Sequence, residues 1–587
     1  MKLSFKARSS GASLSHTALA DPSGSKLKSF LIFLLCGDSS AKNPGTVRYA
    51  WWIFLLALWW CTAASLPFWQ MSLSPLSDNP AELACFALAT VLCLVFAHTA
   101  LLLFISALLP SVISGILITL LGIAAATAFA FSSRYHAAMT PEMIENAIQT
   151  NTSEALDLMT LPLAADFLGI LVIQIPLFTR LIRAKVAIRP RFYMLLLALV
   201  CLVSSASALF TDFSGIAIYM REHHDARYFI TPSNVVSSSI RTLTQDASAN
   251  NVRREIIDKA PVLSKKRLEG RPVVVVTVVG ETARAKNWGL SGYSRDTTPE
   301  LSKRDVINFT DVSSCGTSTA VSVPCVFSLL PRTSYDKKKA LAMEQLPSLL
   351  SRAGVKSLWI DNQAGSKDAA AGIDEKPLSQ VLPDKISKAV CPAGVCPDMA
   401  LVRAVRDKLQ DVRGPTALYL HMMGSHGPAY ADRYPPSFQH WGPVCRKNDL
   451  RQCQLSELRN AYDNTIFYTD SVLGGIIDAL KARNDLDTVL VYFSDHGESL
   501  GDDGFFLHGA PYAIAPAVQK KVPMIMWFSD GYVKRTGLDR SCLLKRTASA
   551  VSHDNIYHTL LDLNAVSSRT YDPALDLLSG CKKTSGN

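Results

Sequence analysis

Val273-Val274-Val275-Val276-Thr277-Val278-Val279-Gly280-Glu281-Thr282 is a run of β-branched residues that stops at a glycine and an acid. Near-continuous apolar runs of this length read as strands buried on both faces, the kind found in parallel sheets. Two more runs end in the same way. Val489 to Phe493 leads into Ser494-Asp495-His496-Gly497-Glu498, and Leu418 to Met422 leads into Gly424-Ser425-His426-Gly427-Pro428. Between them, Met399 to Leu409 and Leu455 to Leu480 carry a helical period. Strands alternating with helices predict an α/β domain with a largely parallel sheet, whose sites form beyond the carboxyl ends of the strands. The three polar motifs stand at those ends.

The chemistry points to one further stretch. Ser314 to Cys325 packs hydroxyls between two cysteines. Glu281, Asp495 and His496 together offer two carboxylates and an imidazole, a donor set that suits zinc with one open or hydroxyl-filled position. A threonine hydroxyl is a poor nucleophile near neutral pH and needs a base or a metal on its oxygen. Thr319 could be that fourth ligand. His426, and His508 in Leu507-His508-Gly509, would then bind a substrate phosphate, give a proton to the leaving oxygen, or hold a second metal. An Asp-His pair alone is commonly structural, and a Ser/Thr-rich loop alone can be ordinary surface. Their coincidence at strand ends is what argues for a site.

Upstream, the chain is lipid-soluble in part. Its 587 residues have a mean hydropathy of +0.18. Five apolar stretches are long enough to span a bilayer: Trp51 to Trp69, Leu83 to Leu109, Val112 to Phe131, Leu161 to Phe178 and Phe192 to Phe210. Residues 1–48 hold seven Lys/Arg against two Asp/Glu and read as a basic cytoplasmic tail, not a cleaved leader. Arg180, Arg183, Lys185, Arg189 and Arg191 mark the connection between the fourth and fifth spans as cytoplasmic too. Five spans then export everything after about residue 213. The expected organisation is a tail (1–48), a membrane domain (49–212) with an exported loop at 132–160, a bridging segment along the surface (213–270) and an exported catalytic domain (271–587). In the loop, Asn146, Thr150 and Glu154 follow at i, i+4 and i+8, so a continuous helix would put them on one face.

Cysteine usage agrees with export. Of 13 cysteines, eight follow residue 213 in locally spaced pairs, which reads as a disulfide framework in an oxidising compartment. Nearest-neighbour closure suggests Cys315–Cys325, Cys391–Cys396 and Cys445–Cys453, with Cys542–Cys581 left by elimination. A zinc site from Cys391, Cys396, Cys445 and Cys453 is the rival reading.

Taken together, Gly280-Glu281-Thr282-Ala283-Arg284 with Asn287, Gly292-Tyr293 and Arg295, then Ser314 to Cys325, His426 to Tyr430, Ser494 to Leu500 and Leu507-His508-Gly509 resemble the membrane-anchored lipid A phosphoethanolamine transferases. These belong to the alkaline phosphatase-like, or sulfatase-like, superfamily. The resemblance implies a multi-domain protein, five transmembrane helices plus an exported α/β alkaline phosphatase-like domain, in a bacterial inner membrane with its catalytic domain in the periplasm. It implies zinc-dependent, ping-pong transfer of phosphoethanolamine from phosphatidylethanolamine to lipid A, with resistance to cationic peptides such as polymyxin as the consequence. Matched residue by residue, it puts the nucleophile on Thr319 and not Thr317. The zinc ligands fall on Glu281, Thr319, Asp495 and His496, and substrate-site histidines on His426 and His508. It also assigns Asn146, Thr150 and Glu154 to the donor headgroup. Expected partners are the two lipids, with no nucleic acid, and the expected state is a monomer. Three features depart from the family: the longer basic tail, Val326 after the second cysteine, and the extra pair Cys542 and Cys581.

Other readings have their own signatures. A sulfatase would carry Cys or Ser in a Cys/Ser-x-Pro-x-Arg context, and neither Cys315 nor Ser318 has it. Transfer to another lipopolysaccharide or glycan acceptor, or transfer of glycerol phosphate, would use the same anchor and a threonine. An inactive anchored receptor for acidic headgroups would fit the net charge of +10 but not the complete nucleophile and ligand set.

Overall fold

The computed structural model describes residues 46–73, 80–150, 152–184, 188–249, 254–264 and 269–582. Most of the basic tail, residues 1–45, therefore lies outside the described residues, as do Lys185 and the side chains of Arg189 and Glu154. The chain forms two compact units, one from Met1–Leu58, Thr90–Leu120 and Gln174–Thr211, the other from Trp59–Ala89, Leu121–Ile173 and Asp212–Asn587.

Among the described residues, four helices are long and apolar enough to cross a membrane, within α3 (Pro80–Leu108), α4 (Ser111–Tyr135), α7 (Leu161–Arg183) and α8 (Ile188–Thr211). The first expected span is not one straight helix. It is the pair α1 (Thr46–Cys61) and α2 (Leu66–Leu73), bent by 52° at residues 62–65. Pro67, in the first turn of α2, accounts for the break, because its ring nitrogen has no N–H to continue the helical ladder to the Ala63 carbonyl four residues back. The Trp69 indole donates to the Cys61 carbonyl (2.8 Å) and Ser65 Oγ to the Trp60 carbonyl (2.9 Å), so carbonyls freed by the bend stay satisfied. Within the first unit the helices meet through small and hydroxylic residues. A side chain at Gly115 would sit 2.7 Å from Ile182, and Tyr49 Oη donates to Ser106 (3.3 Å).

The exported loop folds as two short helices, α5 (Pro141–Gln149) and α6 (Thr152–Leu158). Thr140 caps α5 through the Met143 N–H, and Thr150 leaves the helix with extended backbone (φ −64°, ψ 131°). Asn146, Thr150 and Glu154 consequently do not share one continuous helix, which corrects the expectation from spacing. The bridge is helical as well, with α9 (Phe213–Glu222) and α10 (Ser233–Ala249). It straps the loop in place: Ser238 Oγ donates to the Met139 carbonyl (2.6 Å) and Thr242 Oγ1 to the Pro141 carbonyl (3.0 Å).

The rest of the second unit is built on a seven-stranded sheet. In chain order its strands are β1 (Val273–Gly280), β2 (Ile307–Phe309), β3 (Lys356–Asp361), β4 (Asp374–Pro377), β5 (Thr416–His421), β6 (Asp487–Ser494) and β7 (Met524–Phe528), and in space they run β2-β7-β6-β1-β5-β3-β4. Only β7 runs against its neighbours. All eight residues of β1 are buried, as a central strand covered on both faces requires. Val274, Val276 and Val278 pack towards α12 (Met399–Gln410) and α13 (Leu455–Lys481), while Val273, Val275 and Val279 pack towards α14 (Asp554–Leu563). The exposed β4, which ends in Pro377, closes one edge in a way that discourages further pairing.

Candidate active site

The site assembles where β1, β5 and β6 stop. Glu281 follows β1 directly and Asp495 follows β6, the Asp495 N–H donating to the Gly280 carbonyl at 2.9 Å. Thr282 then turns into left-handed backbone (φ +52°), a costly conformation for a β-branched residue and one that clusters at functional sites. Gly424 is also left-handed (φ +53°), and a Cβ there would lie 2.7 Å from the Glu281 carbonyl, so only glycine lets the β5 loop close over Glu281.

Thr319 opens the short helix α11 (Thr319–Val326) with Ser318 as its N-cap residue. The hydroxyls of this loop have separate duties. Thr317 Oγ1 donates to the Ala510 carbonyl (2.6 Å), and Ser322 Oγ donates to the Asp495 carbonyl (2.5 Å). Thr319 Oγ1 instead donates to Glu281 Oε2 at 3.0 Å and lies 3.3 Å from His496 Nε2. His496 Nε2 is in turn 3.4 Å from both Glu281 Oε1 and Asp495 Oδ2, and its Nδ1 is tied to the Gly497 carbonyl (2.9 Å). That second bond turns Nε2 towards the carboxylates.

The electrostatics are those of a site that draws in positive charge. Burial, and then the charge of Glu281, push Asp495 up to about 6. Burial also works upward on Glu281, but the close approach and charge of His496 hold its carboxyl below the usual range. For His496, burial alone favours the neutral ring, yet Asp495 and Glu281 more than reverse that and raise it to about 10. Glu281 Oε1 and Asp495 Oδ2 are buried and lack a hydrogen-bond partner. Two buried carboxylates with unspent oxygens around an imidazole are the donor set of a divalent metal site, so the residues fit a metal. Single donor atoms of Glu281, His496 and His508 also lie within 4.8 Å of one another, forming a possible metal-binding group.

His426 and His508 stand at the mouth, their rings 5.5 Å apart, with His508 4.5 Å from His496. His508 Nδ1 is bonded to Glu498 Oε2 (2.8 Å), and Tyr430 Oη donates to the other oxygen of Glu498 (2.9 Å). Burial pushes His426 down to about 3, so its ring is neutral. Both histidines and Thr319 line a cavity of about 270 Å³ whose opposite wall comes from the loop helices. Asn146 and Thr150 are on that wall, the Thr150 hydroxyl donating to the Asn146 carbonyl (2.6 Å). Phe131, Met143 and Leu158 make much of the lining apolar.

Comparison with known proteins agrees with this architecture. A Sulfatase family model matches residues 274–565, and a model for phosphoethanolamine transferase EptA/EptB matches residues 94–247. Phosphoethanolamine transferase EptA of Escherichia coli K12 is 36% identical over 78% of this chain and 83% of its own length. The chain belongs to the phosphoethanolamine transferase family. Phosphatidylethanolamine transferase Mcr-1 of Escherichia coli is 35% identical over 79% of this chain and 86% of its own length. The solved integral membrane lipooligosaccharide phosphoethanolamine transferase A of Neisseria meningitidis superposes with a TM-score of 0.83 at 32% identity, covering 91% of this chain and 98% of that one. The protein is thus a phosphoethanolamine transferase, multi-pass in the inner membrane, with an alkaline phosphatase-like periplasmic domain.

Several residues of the transferase site carry no signal in the sequence. Lys367 and Gln363 line the cavity from the loop after β3. Glu498 belongs to the motif after β6, but nothing in the sequence gives it its role as the partner of His508. His553 is entirely silent. Its Nδ1 accepts the Cys315 N–H (3.1 Å) and lies 3.3 Å from Ser322 Oγ, while its Nε2 donates to the Ser494 carbonyl (3.0 Å). One buried, neutral imidazole, pushed down to about 3 by burial, therefore binds the Thr319 loop to the end of the strand that leads into Asp495 and His496. His553→Ala should lower the midpoint of thermal unfolding by an amount equivalent to about 1–3 kcal/mol, because the Cys315 N–H and Ser494 carbonyl lose a buried partner. Calorimetry of the purified variant reads this directly.

The motif around Arg284 builds a scaffold instead of touching the cavity. Asn287 Nδ2, Tyr293 Oη and Arg295 Nη1 all donate to Asp463, and Arg284 pairs with Asp502 at 2.6 Å. Disulfides join Cys315 to Cys325, Cys391 to Cys396, Cys445 to Cys453 and Cys542 to Cys581. The first brackets Thr319.

Proposed function

We propose that the transferase moves phosphoethanolamine from phosphatidylethanolamine to lipid A by a zinc-dependent, two-step exchange through Thr319. The observation that carries this reading is the Thr319 hydroxyl, 3.0 Å from Glu281 and 3.3 Å from His496, at the end of a cavity whose far wall includes Asn146 and Thr150. Glu281, Thr319, Asp495 and His496 would hold the zinc, which supplies positive charge that lowers the pKa of the hydroxyl and offsets charge at phosphorus.

In the first step Thr319 Oγ1 attacks the donor phosphorus and the bond to the glycerol oxygen breaks, with the Thr319 proton ultimately balancing the released diacylglycerol. His508, oriented by Glu498, is the group suited to deliver a proton to that oxygen. His426, held neutral by burial, donates a hydrogen bond to the phosphoryl group without adding charge. Asn146 and Thr150 orient the headgroup, and the negative charge of Glu154 complements the donor's ammonium. In the second step an oxygen of a lipid A phosphate attacks the same phosphorus and Thr319 is released. The added ammonium reduces the negative charge of the outer surface, which weakens attraction for cationic peptides such as polymyxin.

Mass spectrometry of lipid A from cells with and without the protein tests the acceptor. One added phosphoethanolamine per molecule is expected, together with a raised polymyxin tolerance. Modification confined to a core sugar, with lipid A unchanged, would transfer the assignment to another glycan acceptor.

A further inference from the structure

Arg332, Lys520 and Tyr512 form a cluster outside the metal site that no step above uses. The Arg332 guanidinium carbon stands 3.9 Å from the centre of the Tyr512 ring, and Lys520 Nζ stands 5.3 Å from it. Tyr512 is tied to the nucleophile loop, since its hydroxyl donates to the Ser314 carbonyl (3.1 Å). The same segment is locked to Thr317 on both sides, by the Gly509 N–H to the Thr317 carbonyl (2.7 Å) and by Thr317 Oγ1 to the Ala510 carbonyl (2.6 Å). The cluster is therefore fixed against the strand of chain that presents Thr319.

Its charges are unbalanced. The neighbouring cations have partners: Lys337 pairs with Glu145, and Lys521 with Asp311 and Ser313. Arg332 has none among the described residues, because the adjacent Asp554 carboxylate accepts from the Arg332 backbone N–H (2.9 Å) and forms no ion pair with its guanidinium. Lys520 donates to the Tyr512 carbonyl (3.3 Å) and keeps two donors unspent. Two cations on one aromatic ring repel one another. Burial, and then the charge of Arg332, hold Lys520 below its usual range. An attraction of each cation for the ring accounts for either alone, but an anion is what makes the pair favourable.

We propose that Arg332 and Lys520, set on Tyr512, are the subsite that binds a phosphomonoester of the acceptor lipid while Thr319 carries the transferred group. The guanidinium offers a planar pair of N–H donors to two phosphate oxygens and Lys520 adds a point charge. This rests on the reading of lipid A as acceptor. It assigns a second phosphate contact to that molecule, apart from the oxygen that attacks.

The test uses the full-length protein in detergent, with a fluorescent phosphatidylethanolamine as donor and lipid A as acceptor. Formation of the Thr319 adduct from donor alone uses none of these three side chains and is the reference against which transfer is read. In the double variant Arg332→Gln, Lys520→Gln the KM for lipid A should rise about tenfold or more relative to that reference, as loss of charge-assisted hydrogen bonds predicts. Arg332→Lys, which keeps the charge, should fall between, and it guards against a folding defect in the double variant. An unchanged KM for lipid A in the folded double variant would overturn the site. So would a variant that lost inhibition by inorganic phosphate while keeping its KM for lipid A, since the cluster would then take free phosphate only. Wild-type protein that forms the adduct from donor but never passes it to lipid A would instead overturn the acceptor reading, and this assignment with it.

Discussion

Thr319→Ala should abolish transfer, by at least about 10³-fold in turnover, and no phosphoethanolamine adduct should be recoverable from the protein. Of the hydroxyls in the loop, Thr317 is spent on the Ala510 carbonyl and Ser322 on the Asp495 carbonyl, while Thr319 alone faces Glu281 and His496. Thr317→Ala should keep measurable turnover because its bond goes to the Ala510 carbonyl and fixes loop position. Ser322→Ala should also turn over, more slowly, since its hydroxyl supports the backbone of Asp495. The Cys315–Cys325 bridge and membrane insertion should be untouched by loss of one hydroxyl and one methyl at Thr319. Digestion of protein trapped with donor lipid, followed by mass spectrometry, decides the matter. An adduct on Thr317 or Ser318, or turnover by Thr319→Ala, would show that another oxygen attacks.

Removing one of the proposed zinc ligands should have an effect of similar size by a different route. Asp495→Ala and Glu281→Ala should each lose most bound zinc and activity, a loss beyond the roughly 10- to 100-fold typical when only an outer partner of a metal site is removed. Elemental analysis measures the first effect directly. His440→Ala is the control: that ring is exposed and stacks on Phe467, and its loss should leave zinc and activity nearly intact. Thermal unfolding separates ligand loss from misfolding. With chelator present, Asp495→Asn should melt no lower than wild type, because wild type buries Asp495 beside Glu281 and pays for two adjacent carboxylates. With zinc added, wild type should gain stability through ligand linkage and Asp495→Asn should not. Full zinc in purified Asp495→Ala would sink the ligand assignment.

The pattern of residues along the chain was sufficient for the α/β domain and its membrane anchor. The valine run of β1 cannot stay exposed, and its neighbours repeat the same plan of apolar strand, glycine or serine, then acid or histidine. Local pattern was also enough to separate α12 and α13 from the strands, since burial on one face imposes a period that composition records. Where local pattern misled, a single residue or a distant partner was responsible. Pro67 bends what reads as one span into α1 and α2, and the extended backbone at Thr150 breaks the spacing that seemed to align Asn146, Thr150 and Glu154. The antiparallel strand β7 follows no local rule, because its direction is set by pairing with β6 and β2, far away in the chain. The same holds for the chemistry. Residue types at the strand ends announced a metal-capable site, but residue type alone leaves the four hydroxyls between Cys315 and Cys325 equivalent, and only the family resemblance singled out Thr319. Only the fold assigns Thr317 to Ala510, Ser322 to Asp495 and Thr319 to the carboxylates. His553, about 230 residues downstream of that loop, holds it by hydrogen bonds that no local pattern around position 553 announces. Burial and periodicity are properties of neighbours in sequence, whereas a hydroxyl's role depends on which distant atom lies within 3 Å, and that is decided only when the chain closes on itself.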